Sequence, residues 1–494
     1  MARLIGTTSW LADLDETAPE PLHRQLYASL REGILDGRLA PGSRLPSSRT
    51  LQAELGVARN TVLAAFDQLL AEGYLVGRLG SGTYVAGILP EELMTAGQGR
   101  RHGQPGMRAP AHLSRAGRSA LSLPPTGDPA GTGAFVFWLP AVDRFPFVTW
   151  SRLTARRWDR PAPGLLDYGD AAGYGPLRES IAAHLNTARA LSCSPDQIVI
   201  TGGAQHALSL LARLLVDPGE MIWLEDPGYL GARTAFVAAG ATIVPVPVDE
   251  DGLDVSAGRH RAPAARLAYV TPSHQFPLGV TMSLGRRLAL LEWAAQERRW
   301  IVEDDYDSEF RFAGRPLGSL QGMDQAGRVI YLGTFSKVLF PSLRLGYVVL
   351  PSELVKPFVA LRTWDDHHSP TMDQAVLADF IAEGHFARHL RRMRALYEHR
   401  QEVLLGAGRA HLGSLLEVQS GTGGMHTVAW LPEGSDERAA AAAARSHGVA
   451  AAPLGAYTSG GSSRPGFVLG YAGFDDSEIE NATKRLAAAL REGA

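Results

Sequence analysis

From Phe135 onward, short apolar runs alternate with helix-length stretches, and this alternation narrows the possible folds most. The runs cover residues 197–201, 221–225, 242–246, 267–271, 300–304, 329–333 and 346–350. Strands separated by helices need crossover connections, which build βαβ units around a mainly parallel sheet. Beyond about residue 360 the pattern is helical with a few strands, predicting a smaller C-terminal α+β lobe.

The chain before Phe135 follows other rules. Residues 19–87 read as a separate small unit. Leu22, Leu26, Leu30 and Ile34 lie at i, i+4 spacing on one helix face, and Gly37 and Pro41-Gly42 end that helix. Ser47 or Ser48 caps a second helix running to Leu55, and Gly56 turns the chain. A third helix spans about 59–72, with Val62, Phe66, Leu69 and Leu70 on its apolar side. Two strand-like pieces, 74–78 and 83–85, flank Gly80-Ser81-Gly82. Helix, turn, helix and hairpin is the order of a winged helix-turn-helix. In that motif the N-terminal end of the second helix enters the major groove, and here it carries Arg59, Asn60 and Thr61. Arginine and asparagine make bidentate contacts to guanine and adenine edges. Arg49, Arg78, Gly80 and Ser81 are placed to meet phosphates. The charge is modest: residues 21–85 hold seven arginines and five acids. A small helical domain with solvated arginines is the alternative.

Between the two units, residues 88–132 are rich in Gly, Pro, Ala and Ser and lack a hydrophobic period, so they predict a flexible linker. The large unit is then 133–494, in a chain of 494 residues. The net charge of −3 excludes a uniformly basic nucleic-acid coat. A single cysteine, Cys193, excludes an intrachain disulfide or a cysteine-rich zinc site and fits a reducing, cytoplasmic setting. The first residues lack the apolar segment of a signal peptide, and no run of apolar residues is long enough to span a membrane.

Three of the 48 basic residues are lysine: Lys337, Lys356 and Lys484. Lys337 follows Thr334 and Ser336 and precedes Arg344 by seven residues. A lysine amine forms an imine with an aldehyde, a reaction closed to a guanidinium. An arginine binds a phosphate dianion bidentately. Alone, a Ser-Lys pair reads more readily as a surface loop. Thirty-three residues earlier, Asp304 closes an apolar strand, where an aspartate can keep a pyridine nitrogen protonated. Tyr306 lies on the same face. Glu303, Asp304, Asp305, Asp307 and Glu309 also admit a divalent-cation site, but they lack metal-loop spacing, so no metal is expected. Gly202-Gly203-Ala204-Gln205 joins a strand to a helix start, a place where free N–H groups cradle phosphate. Tyr229 follows the next strand and can stack on a ring or simply pack.

Two resemblances follow. The stretch from Leu45 to Val62, with Glu72-Gly-Tyr-Leu75 and Gly80-Ser-Gly-Thr-Tyr-Val85, closely resembles the GntR-type winged helix. It implies that Arg49, Arg59, Asn60, Thr61 and the wing at Gly80 contact operator DNA. Ala58 stands where that family often has Ser or Thr. In the large unit, the order of glycine turn, aromatic, Asp-x-Tyr, Ser-Lys and Arg resembles the fold type I pyridoxal phosphate enzymes of the class I aminotransferase group, over roughly 160–475. That likeness implies pyridoxal 5'-phosphate as cofactor, held as an internal aldimine on Lys337. It places Asp304 on the ring nitrogen, Tyr306 on the 3-oxygen and Tyr229 on the ring. Gly203, Ala204, Gln205, Thr334, Ser336 and Arg344 would hold the phosphate. Tyr168, in Tyr168-Gly-Asp-Ala-Ala-Gly-Tyr174, would reach the phosphate of the partner subunit in a homodimer.

The chain departs from the aminotransferase pattern twice. Phe276 replaces the asparagine that usually meets the 3-oxygen, and Val468 replaces the arginine that grips a substrate carboxylate, leaving Arg464 as a nearby substitute. The combination of domains, with Thr271-Pro-Ser-His-Gln-Phe-Pro277 and Glu303-Asp-Asp-Tyr-Asp-Ser-Glu-Phe310, resembles the MocR family of bacterial regulators. That resemblance implies a head-to-tail homodimer that binds operator DNA. Its effector would be pyridoxal phosphate itself, as in the PdxR-like type, or a small amine, controlling vitamin B6 or amino-acid metabolism genes, with at most vestigial transamination. A working aminotransferase with an auxiliary DNA reader is one alternative, and a repressor with a purely structural cofactor is another.

Overall fold

The computed structural model describes residues 14–15, 17–78, 81–90, 113, 117–118, 133–312, 318–459 and 464–492. Gly80, the first residues of the chain and most of the predicted linker lie outside the described residues. The chain forms two compact units, Met1–His112 and Leu113–Ala494.

In the first unit, α1 (Leu22–Leu35), α2 (Ser48–Leu55) and α3 (Arg59–Ala71) precede a hairpin of β1 (Leu75–Arg78) and β2 (Gly82–Val85). Ser47 caps α2, its hydroxyl accepting from Thr50 N at 3.2 Å. Gly56 ends the helix at φ 68°, a left-handed conformation that glycine adopts without steric penalty. The core joins Leu26, Leu30 and Ile34 of α1 to Leu51 and to Val62, Ala65, Phe66 and Leu69 of α3. Leu70, expected on that apolar face, is 36% exposed, because Ala65 and Leu69 already fill the stripe against α1. The hairpin is antiparallel, Leu75 opposite Val85, and an Arg44–Tyr84 bridge adds to it.

The second unit is built on an eight-stranded sheet ordered β3-β10-β9-β8-β7-β4-β5-β6. The strands are β3 (Ile198–Thr201), β4 (Met221–Asp226), β5 (Thr242–Asp249), β6 (Gly252–Leu253), β7 (Leu267–Val270), β8 (Trp300–Asp305), β9 (Val329–Thr334) and β10 (Gly346–Val349). All seven apolar runs are strands of this sheet. Pairings among β5, β4, β7, β8 and β9 are parallel, whereas β10 runs against both its neighbours. Most strand residues are buried, as a parallel sheet covered by helices requires. The helices of this unit begin with α4 (Phe147–Asp159), α5 (Gly175–Ala188), α6 (Ala204–Leu215), α7 (Leu230–Ala238), α8 (Val255–Arg261) and α9 (Leu284–Glu297). They continue as α10 (Leu320–Met323), α11 (Ser352–Asp365), α12 (Thr371–Ala382), α13 (His385–His411), α14 (Glu437–Ser446) and α15 (Asp476–Glu492). Helix α6 packs Leu208 and Leu211 with Val199, Ile330 and Val348 of the sheet. On the β7–β8 side, Trp223 and Trp293 stack 4.1 Å apart.

A second sheet, antiparallel and ordered β11-β12-β14-β13, forms the C-terminal lobe with α14, α15 and part of α13. Its strands are β11 (Glu417–Val418), β12 (His426–Trp430), β13 (Ala452–Pro453) and β14 (Gly466–Gly470). Among the described residues, no helix is long and apolar enough to cross a membrane.

Candidate functional site

The first unit exposes the residues expected to read DNA. Arg59 and Asn60 stand at the start of α3, both exposed, with Thr61 half-buried behind them. Ala58 is the N-cap of α3 and offers no side-chain cap, so the Thr61 N–H turns back onto the Ala58 carbonyl at 2.9 Å. Arg49 is exposed on α2, and Ser81 is exposed at the hairpin tip. Arg78 lies with its guanidinium 4.7 Å over the Tyr84 ring. Arg44, which the helix periodicity did not single out, also borders the wing. A Cβ on Gly82 would come within 3.0 Å of its Nε.

In the second unit, the loops after β3, β4, β7, β8 and β9 meet at one edge of the large sheet. Parallel strands place their C-terminal ends together there, the usual ligand edge of an α/β sheet. β10 runs the other way, so Arg344, just before its start, arrives at the same edge. A cavity of about 250 Å³ opens at this edge. Its wall includes Ala204, Gln205, Tyr229, Asp304, Tyr306, Thr334, Ser336, Lys337 and Arg344, which span 140 positions of sequence. Phe137, Trp138, Tyr269, Thr271, Phe276, Met425 and His426 complete it with others.

Each predicted group has a structural reason for its place. Lys337 follows β9, its Nζ donating to Trp138 O at 3.3 Å. Gly203 holds φ 99°, and a Cβ there would lie 3.4 Å from the Arg344 guanidinium. The bare glycine thus leaves the first turn of α6 open beside that cation. Gln205 is fixed by Nε2 donating to Gly231 O at 3.0 Å. Thr334 Oγ1 accepts from Ser336 N at 3.2 Å, while the buried Ser336 Oγ has no hydrogen-bond partner among the described residues. The Tyr229 ring stands edge-on to Phe276 at 6.0 Å.

The acids of β8 divide by strand alternation. Asp304 faces the cavity. Its Oδ2 accepts from Tyr269 Oη at 2.7 Å, and its buried Oδ1 has no partner among the described residues. Burial raises its pKa to about 6, a rise that the Tyr269 hydrogen bond and the Lys337 charge both limit. Glu303 and Asp305 face away. Glu303 accepts from Leu320 N and Gln321 N, both at 2.9 Å, and burial raises its pKa to about 7. Asp305 pairs with Arg189 at 2.7 Å and accepts from Tyr331 Oη at 2.6 Å. Glu303, Asp304 and Asp305, three of the acids considered as one cation site, therefore have separate partners. On neighbouring β4, Glu225 is pushed up to about 7 by burial and accepts from Thr271 Oγ1 at 2.6 Å.

Two expected residues are not brought to the cavity within this chain. Tyr168 is 84% exposed, its ring against His367 and His368. Arg464 pairs with Glu417 at 2.9 Å and lies over Trp430, away from the cavity. The nearby Val468 is buried in the core of the C-terminal lobe with Phe276. Sequence reasoning missed Tyr269, which reads as strand core, and His274 and His426. The motif around His274 was visible, but nothing in it showed that His274 meets Tyr306.

The cavity fits pyridoxal 5'-phosphate chemically. It offers one lysine amine to an aldehyde and an unpartnered carboxylate oxygen for a ring N–H. Near Arg344 it offers a glycine-opened helix start and a spare hydroxyl for phosphate. The family description "Aminotransferase class I and II" matches residues 156–486, and "Bacterial regulatory proteins, gntR family" matches 22–85. The chain is 42% identical over 477 residues to the probable rhizopine catabolism regulatory protein MocR of Rhizobium meliloti, covering 97% of this chain and 95% of that one. It is 33% identical over 487 residues to the pyridoxine biosynthesis transcriptional regulator PdxR of Corynebacterium glutamicum, covering 97% and 98%. The structure of Pyrococcus horikoshii kynurenine aminotransferase superposes with a TM-score of 0.68 at 29% identity, covering 78% of this chain and 96% of that one. The chain belongs to the MocR type of GntR-family DNA-binding transcription regulators, in which a winged helix is joined to an aminotransferase-like domain whose cofactor is pyridoxal 5'-phosphate.

Proposed function

We propose that this regulator senses pyridoxal 5'-phosphate, or a primary amine through it, and changes its grip on operator DNA in response. One observation carries the reading. A single cavity gathers Lys337, Asp304 and Arg344 in a chain whose other unit exposes Arg59 and Asn60 at a helix start. In this reading residues 19–87 are the DNA reader, 88–132 the linker and 133–494 the effector domain. Arg59, Asn60 and Thr61 reach base edges, and Arg49, Arg78, Gly80 and Ser81 hold the phosphates.

Bound in the cavity, pyridoxal phosphate supplies an aldehyde that condenses with primary amines and a ring that withdraws electrons. Lys337 offers the amine. Asp304 Oδ1 would accept the ring N–H, and Tyr306 would donate to the 3-oxygen. Tyr229 covers the ring face. Arg344, Ser336, Thr334 and the N–H groups of Gly203, Ala204 and Gln205 hold the phosphate. Tyr168, exposed in one chain, serves the partner's cavity in a head-to-tail homodimer. An effector that prefers one arrangement of the lobes shifts the population toward it and so moves the two readers.

The absence of an arginine at Val468 favours pyridoxal phosphate itself as the sensed ligand. The relative named for pyridoxine biosynthesis supports control of vitamin B6 genes. The relative named for rhizopine catabolism keeps an amine effector in view. We place the protein in the cytoplasm, with its DNA.

The test is operator binding by the full chain with and without pyridoxal phosphate. The wild type should change affinity, and Lys337→Ala should bind DNA without that response. An equal response in both proteins would overturn the sensor role of Lys337. Sustained turnover of amino acid with keto acid would instead favour a working aminotransferase.

A further inference from the structure

Behind the cavity wall, two side chains that the cofactor reading leaves unused, His274 and Asp307, form a row with Tyr306. Tyr306, just past β8, lines the cavity. Its Oη lies 3.1 Å from His274 Nδ1, and the same nitrogen lies 3.0 Å from Asp307 Oδ2. His274 is 6% exposed and Asp307 1%. The imidazole is clamped by backbone: a Cβ on Gly424 would come within 2.2 Å of its Cε1, and one on Gly279 within 3.1 Å of its Nε2. The ring plane is therefore fixed by packing, and the two oxygens beside Nδ1 fix which ring edge faces them.

With Asp307 as a carboxylate, one nitrogen facing two oxygens leaves one assignment of protons. A carboxylate only accepts, so Asp307 requires a hydrogen on Nδ1. That N–H then points at both Asp307 and Tyr306, and the Tyr306 oxygen accepts from it. The tyrosine's own O–H is left for a different acceptor, on the cavity side. We infer that His274, oriented by Asp307, is a positioning residue that makes Tyr306 present its proton to the cavity. The inference rests on the pyridoxal phosphate reading, in which the acceptor is the cofactor's 3-oxygen.

A metal reading of the same neighbourhood is weaker. His274, Asp307 and His426 hold ligand atoms within 4.8 Å of one another. However, Arg189, Arg287 and Arg311 line the small space beside His274 and Asp307, and three guanidinium groups oppose a dication.

The charged and titratable groups around Tyr306 are known. They are Asp304 and Asp305 on β8, Asp307 beyond it, Glu225 on β4, His274, His426 on β12 and Lys337 after β9. Against that background, a hydroxyl donor stabilises the ionised form of the 3-oxygen, so losing the donor raises the pH at which its proton leaves.

The test follows the visible absorption of the full chain loaded with pyridoxal phosphate as pH is varied. His274→Leu, Asp307→Asn and Tyr306→Phe should each raise the apparent pKa by about one unit or more. His274→Asn should restore the wild-type value, because its amide nitrogen takes the place of Nδ1. In a Tyr306→Phe background, His274→Leu should add no further shift. A wild-type titration in His274→Leu, or an equal shift with Tyr306 already gone, overturns the inference. Asp307→Asn, nearly isosteric, reads the same relay if the leucine variant fails to fold. A wild type with no visible band on loading overturns the cofactor reading itself, an outcome that the variants cannot imitate.

Discussion

Lys337 stood out in the sequence because the chain uses arginine almost everywhere else. Lys484 makes an exposed pair with Glu480 at 3.1 Å, a role arginine fills as well. In the proposed reading Lys337 sits where only an amine has the required chemistry. Its partners were legible for the same reason: Asp304, Tyr306 and Arg344 are polar residues at strand ends. Tyr269 and His426 were not, because each lies in an apolar strand and acquires its role from a neighbouring strand. Glu225 belongs to this hidden set, and it carries a pH prediction. Its pKa is pushed up from 4.5 to about 7 by burial. The folded chain therefore keeps a proton that the unfolded chain releases above its own pKa. Stability from this group is full below about pH 4.5, falls as pH rises to about 7 and is constant above that. Glu225→Gln removes the dependence. Relative to wild type, the variant should gain on the order of 3 kcal/mol between pH 5 and pH 8 in urea unfolding. Comparing two pH values cancels the fixed cost of the altered hydrogen bonds to Thr271. Parallel profiles for the two proteins would show that Glu225 is ionised in the fold at neutral pH.

Helix termini are where the first unit is tuned. Ser47 satisfies one orphan N–H of α2 with its hydroxyl, whereas in α3 the corresponding Thr61 N–H reaches only the Ala58 carbonyl, at 2.9 Å. Ser47→Ala should cost about 1 kcal/mol of that unit's stability, and Ala58→Ser should add about 0.5–1 kcal/mol. Both effects would be read from the urea midpoint of the N-terminal transition in the full chain. If Ala58→Ser gains nothing, the bond from the Thr61 N–H to the Ala58 carbonyl already does the work of a cap. The capping residues of α2 were visible in sequence because they follow local rules, as were the seven main strands. Strand β6, two residues long, and the three-residue turns such as Pro195–Gln197 were not, since they have too few residues for any period. The antiparallel course of β10 was equally hidden. An apolar run shows that a strand is buried and leaves its direction open. That direction matters to the site, because it delivers Arg344 to the edge where β9 delivers Lys337.

At the scale of the whole molecule, two units with separate cores predict two unfolding transitions rather than one. The core of the first is made of residues from Leu14 to Leu89, and those of the second begin at Ala134. A ligand stabilises the unit that binds it, by about 2.7 kcal/mol at a hundred times its dissociation constant. Pyridoxal phosphate should therefore raise the calorimetric transition of the large unit, and Lys337→Ala should reduce that rise. Operator DNA should raise the transition of the small one. A sensor requires more than this, because each ligand must also change the other's affinity. Linkage makes that coupling reciprocal: the factor by which cofactor changes operator affinity equals the factor by which operator changes cofactor affinity. Measuring both factors on the same protein tests the regulatory reading without reference to any gene. Two shifted transitions with a coupling factor of one would describe a DNA-binding protein that carries a cofactor for another purpose. A factor of about five or more, equal in both directions and lost in Lys337→Ala, would establish that the cavity and the reader share one equilibrium.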